Sequence, residues 1–213
     1  MDPLSSFFGG FLPRMLVKQQ TVELPVIQQR IGEFEQLQDQ YSDLFHNDFI
    51  KKADRVFQKA DDVHLDKYLC AATQQVHHLG VGTLKKSIAL GGIGTSDDGE
   101  KILVLGHIRR IEAKEALEVL KRELKLNGCQ KSTIKFYAIG GVLKDVHTDD
   151  GSSFDLQKDL LSLAKTYNIC GVKFNITTSE DVLQIVFDES GMYYSKQTLF
   201  TPIEGSKIEQ DWF

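Results

Sequence analysis

The chain has 213 residues, 41% hydrophobic and 26% charged, with 30 acidic against 25 basic side chains and a net charge of −5. That length admits one domain of ordinary size plus an extension, and the balance is that of a folded globular chain, not a disordered one. Its charges are mixed, as in Lys114-Glu115 and Lys121-Arg122-Glu123, and the acidic excess argues against the basic stripe of a nucleic-acid-binding surface.

Residues 1–13 hold Phe7-Phe8-Gly9-Gly10-Phe11-Leu12. This apolar run is too short and glycine-broken for a membrane span, and it lacks the basic start of a secretory signal. A cytoplasmic protein that does not engage the membrane is the expectation. Pro25 suits the first turn of a helix, and Ile27, Ile31, Phe34 and Leu37 recur at the interval of one buried stripe. The same period continues through Leu44, Phe45, Phe49, Ala53, Val56 and Phe57, and Leu65, Leu69, Ala72 and Val76 predict a shorter helix. The glutamines Gln19, Gln20, Gln28, Gln29, Gln36, Gln38 and Gln40 read as a solvated helix face. Residues 1–80 are thus expected to form a helical N-terminal extension.

After Gly80 the period shortens. An apolar run over 87–93, the turn cluster Thr95-Ser96-Asp97-Asp98-Gly99 and a second run over 101–105 predict a β-hairpin. Ala116, Leu117, Leu120 and Leu124 predict an amphipathic helix over 112–126, stopped by Asn127-Gly128. A buried strand over 134–139 follows, then a helix over 154–167 with Leu156, Leu160, Leu161 and Ala164 turned inward. Strands over 172–176, 182–188 and 193–196 complete the chain, the last pair turning at Gly191-Met192. The order β-β-α-β-α-β-β-β predicts an α/β fold over 81–213, a mixed β-sheet sandwich with flanking helices.

Cys70, Cys129 and Cys170 are odd in number and show no metal-ligand spacing, which favours a reducing compartment over a disulfide framework. His77 and His78 are adjacent and would point apart on a helix, so they predict no metal pair. Ser87 opens one strand of the predicted hairpin and His107, 20 residues later, ends its partner. Side by side, the two side chains come within hydrogen-bond reach, with His107 as a general base; the plainer reading is a surface histidine at a strand end. Thr83, read by itself, is a strand-start threonine. Cys70, beside the small Ala71 and Ala72 on the predicted helix, is a rival nucleophile that with His107 would make a papain-like hydrolase. A packing cysteine is the commoner role for such a residue.

The stretch Thr83-Leu84-Lys85-Lys86-Ser87-Ile88-Ala89-Leu90, the strand end Gly106-His107-Ile108 and the run closing at Gly140-Gly141 carry a further pattern. With Val172-Lys173-Phe174-Asn175-Ile176, Val186-Phe187-Asp188 and Gly191, they resemble the CheD family of chemotaxis-receptor deamidases. Bacterial deamidase toxins and N-terminal asparagine amidohydrolases are related in pattern. The resemblance spans about residues 82 to 197. It implies a nucleophile at Ser87, a base at His107 and, at Thr83, an upstream threonine that holds the histidine or contributes to the oxyanion site, the last matched only with a two-residue deletion. The family has cysteine where Ser87 stands and glycines where Lys85-Lys86 stand, and residues 1–80 have no counterpart in its minimal form.

The resemblance also implies an activity: a protein-glutamine deamidase that converts glutamine to glutamate through a thioester, releases ammonia and uses no metal or organic cofactor. Its substrate would be a protein, its N-terminal helices a surface for a partner, and a bacterial effector acting in a host cell an alternative to a cytoplasmic enzyme. Ser87 leaves three readings open: an engineered cysteine-to-serine exchange, a natural loss of the nucleophile, and a true serine nucleophile. A non-catalytic protein-binding module on the same fold is the alternative of another class.

Overall fold

The structure is a computed structural model that describes residues 12–57, 59–73, 78–143, 153–175, 182–203 and 209–212, with side chains described from residue 26 onward. Helix α1 (Leu12–Gln40) and the single turn α2 (Ser42–Phe45) come first. Strands β1 (Ile50–Lys52), β2 (Lys59–Asp62), β3 (Lys67–Ala72) and β4 (Leu79–Leu84) follow, then the hairpin β5 (Ile88–Thr95) and β6 (Lys101–Ile108). Helix α3 (Ala113–Leu126), β7 (Lys135–Gly140), helix α4 (Ser153–Tyr167) and β8 (Ile169–Phe174) form the next stretch. The last are β9 (Leu183–Asp188), β10 (Gly191–Ser195), β11 (Thr201–Pro202) and β12 (Gln210–Asp211).

Among the described residues the strands form two mixed sheets, ordered β1-β10-β9-β4-β2-β11 and β12-β3-β6-β5-β7-β8. Strand periodicity explains how they stack. On β9, Leu183, Ile185 and Phe187 point into an inter-sheet core with Leu79 and Val81 of β4 and Ala89, Leu103 and Leu105 of the second sheet. The alternate residues of that second sheet, among them Ile88, Leu90 and Val104, point the other way onto Ala116, Leu117, Leu120 and Leu124 of α3 and Leu160 and Leu161 of α4. The result is a sheet-on-sheet sandwich with helices over one outer face, the α/β class expected. The β5–β6 turn is the predicted one: Ser96 N–H donates to the Glu100 carbonyl at 2.9 Å, and Gly99 takes a φ of +82°. Among the described residues no helix is long and apolar enough to cross a membrane.

The N-terminal third departs from expectation. Helix ends at Phe45, and the strands β1 to β4 that follow belong to the two sheets: β3 pairs along β6, and β4 pairs with β9. No domain boundary therefore falls at residue 80. Three- and four-residue spacing had suggested one helical face, yet Phe49 packs in the inter-sheet core while Phe57 lies on the outer face of the first sheet with Val186 and Phe200. Leu65, Leu69 and Ala72 likewise share no face, since Leu69 enters the inter-sheet core, Ala72 the helix-side core, and Leu65 is exposed. Residues 1–11, Val76, His77 and Ile176 lie outside the described residues.

Helix α1 also starts before Pro25 instead of at it. A proline forfeits one intrahelical hydrogen bond, a loss that good helix formers on both sides can carry. The stripe of α1 is otherwise as expected: Phe34 is buried, meets Phe45 edge-on at 5.8 Å, and Phe45 meets Phe174 of β8. Gln28, Gln29, Gln36, Gln38 and Gln40 are exposed.

Candidate active site

Two of the chain's passages from the first sheet to the second lie together at one end of the sandwich. Between β2 and β3 it passes through Val63–Asp66, and between β4 and β5 through the bend Lys85-Lys86-Ser87. His107, near the end of β6, sits between the two crossings. In the hairpin register Ala89 faces His107, so Ser87, two residues earlier and just ahead of β5, is its diagonal neighbour. Ser87 Oγ lies 2.6 Å from His107 Nε2, and His107 Nδ1 lies 3.3 Å from the Val63 carbonyl.

These contacts fix the imidazole. A carbonyl only accepts, so Nδ1 carries the proton and Nε2 presents its lone pair to the Ser87 hydroxyl. The ring is only 2% exposed. Burial pulls its pKa down from 6.5 to about 4, against the opposing pull of the Val63 carbonyl and the Asp66 carboxylate. At neutral pH His107 is therefore an uncharged base aimed at a hydroxyl. The arrangement is that of nucleophile, base and orienting acceptor, with a backbone carbonyl in the third role.

The surrounding backbone holds this geometry. Asp66, at φ +56°, donates its N–H to the His107 carbonyl at 2.7 Å and accepts the Arg109 N–H through its carboxylate at 3.1 Å. Beyond Val81, β4 carries one extra residue relative to β9, and the Asp62 carboxylate takes the Gly82 N–H at 2.7 Å. Such a bulge bends a strand and often stands beside a site. Burial raises the Asp62 pKa. On the far side of Ser87, the Gly141 N–H donates to the Ser87 carbonyl at 2.9 Å. Gly140 and Gly141 have φ values of +114° and +72°, a region open to glycine. A Cβ on Gly140 would come within 2.7 Å of that same carbonyl.

Ser87 and His107 open onto a cavity of about 530 Å³ walled by Leu65, Thr83, Lys85, Lys86 and Arg109. Of the residues singled out in the sequence, Ser87, His107 and Thr83 thus meet in one place. Thr83 lines the cavity, but the ring nitrogens of His107 are held by Ser87 and Val63, so it does not orient the base.

Cys70 is elsewhere. It lies on β3, not on a helix, opposite Val104, while Lys67 is opposite His107. An odd offset along a strand puts it on the other face. There it packs into the helix-side core, with its sulfur 3.5 Å from Asn127 Nδ2. The papain-like pairing of Cys70 with His107 is therefore excluded by the sheet itself. Sequence reasoning missed the Val63 carbonyl, because a backbone acceptor leaves no side-chain signature. The chain matches no protein-family model and no curated protein.

Proposed function

We propose that this chain is an amidohydrolase of the CheD-like deamidase kind, built to attack the side-chain carboxamide of a glutamine in another protein. The observation that carries this reading is the 2.6 Å contact between Ser87 Oγ and a neutral His107 Nε2 at the base of an open cavity. In the reaction, His107 takes the proton of the group at position 87 as that group bonds to the amide carbon. The same proton returns to the amide nitrogen as the carbon–nitrogen bond breaks and ammonia leaves. The acyl link is an ester on serine or a thioester on cysteine. Water, deprotonated by His107, then releases glutamate and frees the nucleophile. Lys85 and Lys86 add positive charge near the developing oxyanion.

Serine needs stronger activation than cysteine, so the chain with Ser87 is the slow or silent form. The second reading, a binding module on the same fold, is favoured by this same residue.

Mass spectrometry of glutamine peptides separates the two. The S87C protein is expected to make its target about one dalton heavier by amide-to-acid conversion, and S87C combined with H107A is expected to lose turnover. A folded S87C protein that converts no glutamine in any peptide or partner would leave the binding module standing.

A further inference from the structure

Resting on that deamidase reading, we propose that the cavity selects a glutamine carried in an acidic segment of its protein target, held by Lys85, Lys86 and Arg109. The chain as a whole is acidic, with a net charge of −5, yet among the described residues the three charged side chains walling this cavity, Lys85, Lys86 and Arg109, are all cations. The carboxylates of the adjoining segments are turned to donors of the protein itself. Asp62 accepts the Gly82 N–H, Asp66 accepts those of Arg109 and Arg110, and Glu209 takes both the N–H and the ring nitrogen of His64. Against this local background a cationic rim is a feature of the opening, not of the composition.

Depth points to the reacting side chain. Ser87 is 4% exposed and His107 2%, so only a slender side chain reaches them, and glutamine extends one methylene further than asparagine. Leu65, 42% exposed at the wall, offers an apolar contact for those methylenes. The volume exceeds one side chain and leaves room at the rim for flanking residues. Lys85 is exposed and Arg109 partly so. Each ion pair there is individually weak and screened by salt, and selectivity arises because several converge on one segment.

The test uses the full chain with Ser87 and short fluorescein-labelled peptides, each with one central glutamine flanked by glutamate, serine or lysine. By fluorescence anisotropy at low salt, the glutamate peptide is expected to bind about tenfold tighter than the serine peptide, and the advantage should vanish in about 1 M salt. K85E with R109E should reverse the order of the glutamate and lysine peptides. K85Q with R109Q, a gentler change, should abolish the preference. Equal binding of all three peptides, or a preference that survives K85Q with R109Q, overturns the inference. Turnover distinguishes the two levels. If S87C deamidates serine- and glutamate-flanked peptides equally, the acidic preference is wrong and the deamidase reading stands. A charge-dependent binding preference without turnover by S87C sinks the deamidase reading and keeps the cationic grip.

Discussion

His107 combines two properties that usually conflict, a nearly complete loss of solvent and a full set of polar contacts. Its Nδ1 proton goes to Val63 and its Nε2 lone pair to Ser87, so the neutral ring is satisfied and the charged ring is penalised. The folded pKa of about 4 lies below the unfolded 6.5. Between those values the unfolded chain holds a proton that the folded chain refuses. The stability contributed by keeping His107 neutral is present above pH 6.5 and is lost as pH falls toward 4. From pH 7 to pH 5 the loss is on the order of 2 kcal/mol. Urea unfolding at the two pH values should show it in the native protein and lack that portion in H107Q. An identical pH dependence in H107Q would mean that the ring is not held neutral in the fold.

At the scale of elements, the residues just after β7, Gly141 and Val142, position Ser87 from outside. The Gly141 N–H grips the Ser87 carbonyl, and this pair rests on Ser153 and on Gln157, which exchanges reciprocal 3.0 Å amide bonds with Asn175. A Cβ on Gly141 would meet Ser153 Oγ at 2.8 Å and collide with the Gln157 amide, at a φ of +72°. Gly99 makes the control, because its φ is +82° and nothing lies within 4 Å of the added atom. G99A should cost about 1 kcal/mol from backbone strain alone, and G141A about 3 kcal/mol or more once crowding adds to it. Equal losses in chemical denaturation would contradict the bracing role. These later elements were legible in the sequence. Helix α3 shows the 3.6-residue period with one buried and one exposed face, and β5 and β6 flank an explicit turn cluster. The short strands β1 to β3 were not legible. Phe49, Phe57, Leu65 and Leu69 are spaced like a helical stripe but belong to different layers, and only the tertiary pairing assigns them.

At the scale of the whole molecule, the site is a product of both sheets. Ser87 follows one crossing between them, Val63 begins the other, and His107 is held where they meet. The pairing of Ser87 with His107 was legible because a hairpin alone creates it. The orienting carbonyl was not, because Val63 reaches the ring only after β2 and β3 have joined different sheets.

The central claim is that this convergence makes position 87 a nucleophile served by His107. Iodoacetamide labelling of the S87C protein near neutral pH, read at residue 87 by peptide mapping, tests it most directly. Two of the other thiols give little competing signal, since burial pushes Cys129 up to about 11 and raises Cys170 as well, and peptide mapping reads Cys70 separately from residue 87. The account predicts that residue 87 reacts at least about tenfold faster in S87C than in S87C with H107A, because the histidine stabilises the thiolate. Equal rates in the two folded proteins would contradict it.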